Sequence, residues 1–213
     1  MGRKSRKHKS YKQKSYRYKP PKRKGKSKKP IILMLALCLV VIVVVAYSMT
    51  NQSGPSLNKV LLRTSMGDIT IQLYDDMSIT TENFKRLVQQ GIYDGTIFHR
   101  VIDGFMIQGG DPTTGPGNPS IPAIEDEFTD PNRNDRGTIA MANAGPNTGS
   151  SQFFINLADN NDLDTKHPVF GKVIEGMQVV YEIGNEVTGP QPETGEISRP
   201  LEDIRIVKAE LIS

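Results

Sequence analysis

The feature that most restricts the fold is a succession of short apolar runs separated by Gly, Pro, Asn and Asp. Runs this short are typical of strands joined by turns. Two segments have helical spacing instead: one opens at Thr80–Asn83 and ends at Gly91, and the other covers Met177–Ile183. The pattern predicts a mainly β fold, a closed barrel capped by two α-helices. The predicted strands are residues 60–64, 68–73, 96–102, 105–108, 137–142, 152–156, 169–173 and 204–212.

Charge is divided unevenly along the chain. Residues 1–30 hold 15 of the 27 Lys and Arg residues and no Asp or Glu, which leaves 12 basic against 23 acidic residues in the remainder. The formal net charge of +4 therefore averages a basic segment and an acidic one. Because residues 1–30 contain almost no aliphatic side chains, they cannot bury enough surface to fold, and we expect a disordered basic tail.

An uncharged apolar run follows the basic tail. Residues 31–49 are predicted to form one transmembrane helix, with a polar linker at 50–57 and a globular domain at 58–213. The cations ahead of the run predict a single-pass protein of the cell membrane, with its N-terminus cytoplasmic and its domain extracytoplasmic. A signal peptide cleaved after Ala46 is the alternative.

The basic tail has three possible roles. It is an orientation signal attracted to anionic lipid, a nucleic-acid-binding segment aided by its tyrosines, or a plain solubilising tail. The adjacent apolar run favours the first role and disfavours nucleic acid as a partner. Cys38 is the single cysteine, so an internal disulfide and a multi-thiolate zinc site are both excluded.

Three blocks of the domain carry the functional signal, and they are residues 93–111 (YDGTIFHRVIDGFMIQGGD), 141–155 (MANAGPNTGSSQFFI) and 163–173 (LDTKHPVFGKV). Together they closely resemble the signature of the cyclophilin family of peptidyl-prolyl isomerases. The resemblance extends from about Leu57 to Ser213, in the family's order. It implies an eight-stranded antiparallel β-barrel and an enzyme acting on proline-containing peptides or unfolded proteins, and we expect a monomeric domain.

The chemistry of such an enzyme asks for little. Rotation about a peptide bond meets a barrier of about 18–20 kcal/mol because the C–N bond has partial double-bond character. No covalent bond is broken, so neither a metal nor a cofactor is expected. The site needs an apolar pocket for the proline ring and a donor to the prolyl nitrogen of the twisted amide. Arginine suits this task because it is always charged and rich in donors.

The resemblance assigns roles to individual residues. Arg100 would stabilise the twisted amide, and Gln108 would bind the substrate backbone and steady Arg100. Asn143 would bind the substrate through its main chain, between Ala142 and Ala144, and Gln152 would complete the polar edge. The proline pocket would be lined by Phe105, Met106, Phe154 and Leu163, with His167 at its wall. Arg100, Gln108 and Phe105 form the predicted catalytic set.

Several residues outside the predicted site need separate interpretation. Asp162 replaces the Trp that several family members carry, which counts against tight cyclosporin binding. His99 should point away from Arg100 and form a structural hydrogen bond rather than transfer a proton. Residues 125–127 (Glu-Asp-Glu) are more typical of a solvated acidic loop than of a metal site. The main functional alternative is a non-catalytic module that binds proline peptides in the same groove.

Overall fold

The computed structural model describes Leu57–Gly117 and Pro119–Ser213, together with the isolated residues Arg17, Lys19, Pro20 and Val41. The predicted tail and transmembrane helix, apart from those four residues, lie outside the described residues, as does the linker up to Ser56. The described domain belongs to one compact unit, Gly54–Ser213.

The predicted membrane location requires correction. Within the part of the chain that the structure describes, no helix has the length and apolarity needed to cross a membrane. The longest of the described helices has 12 residues. The single-pass location with an extracytoplasmic domain is therefore not retained.

Ten strands, two α-helices and two short 3₁₀ helices make up the described domain. Eight strands form one sheet in the order β10-β1-β2-β7-β5-β6-β4-β3, and β8 pairs with β9 in a separate hairpin. All pairs are antiparallel. The elements are β1 (Lys59–Thr64), β2 (Gly67–Leu73), α1 (Ser78–Gln89), β3 (Arg100–Ile102), β4 (Met106–Gly109), β5 (Thr138–Met141), β6 (Phe153–Asn156), β7 (Val169–Glu175), α2 (Met177–Gly184), β8 (Thr188–Pro190), β9 (Ile197–Pro200) and β10 (Ile206–Ile212).

The sheet curls but does not close, so the prediction of a closed barrel is wrong. The edge strands β3 and β10 do not pair with each other. The segment ahead of β3 instead bonds to the residue two positions before β10 and to the first residue of β10, through Phe98 N–H to Ile204 O at 2.9 Å and Ile206 N–H to Thr96 O at 2.8 Å. Because Thr96–Phe98 is used in this way, β3 begins only at Arg100, four residues later than predicted.

Helix α1 ends as the sequence predicts. Gly91 has φ 69°, a value that favours glycine. Its N–H bonds to Val88 O, and the N–H of Ile92 bonds to Leu87 O, both at 3.0 Å. This pair of bonds is a Schellman motif, which satisfies carbonyls that the helix leaves open.

The start of α1 lies at Ser78, two residues earlier than predicted. No side chain of its own segment caps it. Glu127 does so from the acidic loop, where its Oε2 accepts the N–H groups of Ile79 at 2.8 Å and Thr80 at 2.9 Å. A carboxylate at a helix N-terminus is stabilising because the exposed N–H groups carry partial positive charge. The loop predicted to be merely solvated therefore fixes a helix.

The strands β3 to β6 bury alternate residues on two different faces. Val101, Ile107, Ile139 and Ile155 belong to the main core, where Phe84, Tyr93, Phe153 and Phe170 also pack. Met106, Ala140, Phe154 and Val169 form a second, smaller cluster. Successive side chains of a strand point to opposite faces, so one strand serves both clusters. The second cluster is where the predicted site residues meet.

Candidate active site

A row of residues crosses four strands on the outer face of the sheet. Arg100 lies opposite Gln108, Gln108 opposite Phe154, and Phe154 opposite Ala140. Side chains that are directly opposite in antiparallel strands emerge on the same face. The fold thus brings a cation, an amide and an aromatic ring side by side, with Arg100 and Gln108 from the first sequence block and Phe154 from the second.

The second apolar cluster lies beside this row. Phe105 and Leu163 pack against Met106, Ala140, Phe154 and Val169. Phe105 follows Gly104, whose φ of 64° marks a tight turn ahead of it. The ring of His167 meets the ring of Phe154 edge-on, with centroids 5.3 Å apart. Its Nδ1 lies 3.1 Å from the carbonyl oxygen of Met141, to which it donates. The predicted pocket residues are therefore neighbours.

A polar edge borders the cluster. Gln108 Nε2 donates to Gln152 Oε1 at 2.9 Å, and Gln152 Nε2 donates to Asp111 Oδ2 at 3.0 Å. A cavity of about 200 Å³ opens here. Its lining includes Gln108, Gln152, Ala142, Asn143, Ala144, Thr148 and Ser150. The residues predicted to bind the substrate main chain are thus gathered around one space.

Asn143 is held by its side chain. Its Nδ2 donates to Lys166 O at 2.7 Å, and its Oδ1 accepts from Gly145 N–H at 3.3 Å. Its neighbours use their own N–H groups internally, Ala142 to Gln152 O and Ala144 to the hydroxyl of Thr148. Neither main-chain group of Asn143 bonds to another described residue. Asn143 thus lines the cavity with its side chain fixed and its main-chain groups unpaired within the described residues.

Arg100 has a partner that sequence reasoning missed. Its Nε donates to Glu196 Oε2 at 2.6 Å and its Nη2 to Glu196 Oε1 at 2.8 Å, while Nη1 lies 3.8 Å from Met106 Sδ. Hydrogen bonds from Arg100 and Ser198 lower the pKa of Glu196 to about 2. The predicted support from Gln108 is not among the hydrogen bonds of the described residues, because the Gln108 amide donates to Gln152 instead.

The signal for Glu196 was absent from the sequence pattern. The residue lies in a stretch rich in Gly, Pro and Glu, which is more typical of a loop than of a hairpin. The β8–β9 hairpin was not predicted, and Glu196 lies almost a hundred residues from Arg100. Asp162, by contrast, lies exposed in a single 3₁₀ turn at Asn161–Leu163.

His99 lies just ahead of β3, next to Arg100. Its Nδ1 is buried and has no hydrogen-bond partner within the described part of the chain. Burial lowers the pKa of the imidazole below its usual value of 6.5, and the charge of Asp111 opposes this effect in part. A hydrogen bond with the backbone of Ile97 also raises the pKa in part. This contact agrees with the predicted structural hydrogen bond, although Nδ1 itself has no partner among the described residues.

We expect His99 to make stability fall as the solution becomes acidic. Because its pKa is lower in the folded protein, the unfolded chain takes up the proton first as the pH drops below about 6.5. The free energy of unfolding should therefore decrease from pH 7.5 to pH 5.5. Urea titrations at both values should show a smaller decrease for His99→Gln. An equal decrease in the variant would assign the effect to other groups.

The comparisons with known proteins agree with this arrangement. The family model described as cyclophilin type peptidyl-prolyl cis-trans isomerase/CLD matches residues 59–211. The chain belongs to the cyclophilin family. Peptidyl-prolyl cis-trans isomerase-like 1 of Gibberella zeae is 45% identical to this cyclophilin over 159 residues, which cover 72% of this chain and 94% of that protein. Its namesake from Homo sapiens is 46% identical over 155 residues, or 70% and 90%.

Solved structures give the same result. A cyclophilin type peptidyl-prolyl cis-trans isomerase of Cryptosporidium parvum is 33% identical, with a TM-score of 0.63 over 73% of this chain and 98% of that one. A second structure of that isomerase, in the presence of the dipeptide Ala-Pro, is 35% identical with the same TM-score. The sequence resemblance is confirmed, and this cyclophilin is a peptidyl-prolyl cis–trans isomerase.

Proposed function

We propose that residues 58–213 form the isomerase domain and speed the rotation of X–Pro bonds without covalent chemistry, with Arg100 stabilising the twisted amide. In that state the prolyl nitrogen regains its lone pair and accepts a hydrogen bond. A donor that acts only then lowers the barrier without tightening the binding of either ground state. The family match over 59–211 and the compact unit Gly54–Ser213 support these domain bounds.

One observation carries the proposal. Arg100 Nη1 lies 3.8 Å from the sulfur of Met106, a member of the second apolar cluster. The reaction needs an apolar pocket for the proline ring and a hydrogen-bond donor to the prolyl nitrogen. A donor at the edge of the pocket meets both needs, because the pocket holds the ring while the donor reaches the nitrogen. The low polarity of the pocket strengthens the hydrogen bond to the twisted amide.

The other site residues take supporting roles. Met106, Phe105, Phe154 and Leu163 receive the proline ring, with His167 as the wall next to Phe154. The open main chain of Asn143 binds the peptide backbone, flanked by Ala142 and Ala144, while Gln108 and Gln152 form the polar edge. The substrates are proline-containing peptides and unfolded chains. The presence of Ala-Pro in a related crystal structure supports this class.

A protease-coupled assay with an Ala-Pro peptide tests the proposal on the full chain. We expect first-order acceleration of the cis-to-trans step that grows linearly with protein concentration. A parallel NMR titration with the same peptide, and with an Ala-Ala peptide as control, measures binding separately. Binding of the proline peptide without any acceleration would favour the alternative, a non-catalytic binding module.

A further inference from the structure

Glu196 binds the guanidinium of Arg100 on one side only. Glu196 takes its Nε and Nη2 atoms in a bidentate pair at 2.6 and 2.8 Å, and both side chains remain partly exposed, at 30% and 38%. A paired fork of this kind fixes the plane of the guanidinium as well as its position. Nη1, the nitrogen that Glu196 leaves unused, is the one beside Met106.

Glu196 is itself fixed by the β8–β9 hairpin. The buried Ser198 donates to Glu196 Oε2 at 2.8 Å. Gln191 ties the hairpin to the chain next to Arg100, because its Nε2 donates to His99 O at 2.6 Å. Across the turn, Gln191 N–H bonds to Glu196 O at 2.7 Å. The carboxylate therefore has a defined place relative to the strand that carries Arg100.

We propose that Glu196 is a positioning residue, which orients the guanidinium of Arg100 so that Nη1 faces the proline pocket. This inference rests on the proposed role of Arg100 as the donor to the prolyl nitrogen. Five donors on a flexible side chain offer many orientations, and few of them aim a donor at one atom. A site residue must be held to within about 0.5 Å of its working geometry, which a neighbouring side chain usually provides.

Substitution of Glu196 tests the proposal on the full chain. Glu196→Gln keeps the size of the side chain but loses the charge and one of the two acceptors. We expect kcat/KM for an Ala-Pro peptide to fall about tenfold, in kcat rather than KM, since a donor is misplaced while the pocket is intact. Glu193→Gln, an exposed glutamate of the same hairpin, should leave the rate within about twofold.

Two readouts separate positioning from a general structural effect. In the Arg100→Ala variant, the additional substitution Glu196→Gln should not lower kcat/KM any further, because Glu196 acts on the rate only through Arg100. In the NMR spectrum, the Nε–H signal of Arg100 should be protected from exchange in the wild type and in Glu193→Gln but lost in Glu196→Gln. Glu196→Asp should restore only part of the rate, because it keeps the charge but its shorter side chain changes the distance to Arg100.

Several outcomes overturn the inference. A higher kcat/KM in Glu196→Gln would mean that the carboxylate competes with the substrate for Arg100. An unchanged rate, or a loss that persists in the Arg100→Ala background, would mean that Glu196 does not act through Arg100. If Arg100→Ala alone leaves the rate intact, the proposed function fails instead, whatever the Nε–H signal shows.

Discussion

Arg100→Ala is expected to lower kcat/KM for an Ala-Pro peptide by about a hundredfold or more, with KM nearly unchanged. Removal of one preorganised donor to a transition state typically costs about 10² to 10³ in kcat. The apolar cluster that receives the proline ring does not depend on the arginine, so the peptide should still bind. Arg100→Lys should also lose most of the rate, because an ammonium group cannot form the planar fork with Glu196.

The control is an arginine of similar setting that lies on another strand. Arg63 on β1 pairs with Glu210 at 3.1 Å, and the two side chains are 54% and 40% exposed. Arg63→Ala should leave kcat/KM within about twofold, since an exposed ion pair contributes at most about 1 kcal/mol to stability. Circular dichroism should show all variants folded. An Arg100→Ala protein that keeps half of the wild-type rate would refute the assigned role.

Phe84→Ala is expected to lower the free energy of unfolding by about 3–5 kcal/mol, the usual cost of removing a buried phenyl ring. Phe84 is fully buried, and its ring centroid lies 5.0 Å from that of Tyr93, 5.5 Å from Phe153 and 5.0 Å from Phe170. These three rings come from parts of the chain that only the fold brings together. The loss would approach the whole stability of an ordinary domain, about 5–15 kcal/mol.

Urea titration of the full chain measures this effect. Phe84→Leu should cost less, about 1–2 kcal/mol, because most of the apolar volume is kept. Phe128→Ala serves as the matched control, since that phenylalanine is 45% exposed and should cost little. Equal losses in the free energy of unfolding for Phe84→Ala and Phe128→Ala would contradict the expectation that burial among the other aromatic rings makes Phe84 important for stability.

Much of the site was predictable because its residues lie in contiguous motifs. Met106 and Gln108 lie two residues apart in one predicted strand, and Gln152 and Phe154 lie two residues apart in another. Alternation along a strand therefore places the two side chains of each pair on the same face. Gly91 as the end of α1 was equally local, because only backbone geometry is involved. Antiparallel pairing then brings the motifs into one row.

The features that sequence reasoning missed are long-range. Glu127 caps a helix that begins 49 residues earlier, and Glu196 pairs with an arginine 96 residues away. Neither contact is marked by a periodic pattern in the sequence, because nothing distinguishes these two glutamates from other acidic residues in turn-rich segments. Closure of the barrel depends on whether the two edge strands of the sheet, β3 and β10, pair with each other. Alternation within Thr96–Ile102 could not reveal that its first half bonds to Ile204 and to Ile206 at the start of β10.

The position of β3 in the sheet has a further consequence. β3 is an edge strand, paired only with β4, and an uncovered edge offers its backbone groups to strands of other chains. The β8–β9 hairpin packs against β3. The side chain of Gln191 donates a hydrogen bond to the carbonyl oxygen of His99, just ahead of β3. The same hairpin that holds Arg100 thus shields this edge from intermolecular strand addition, which guards against aggregation.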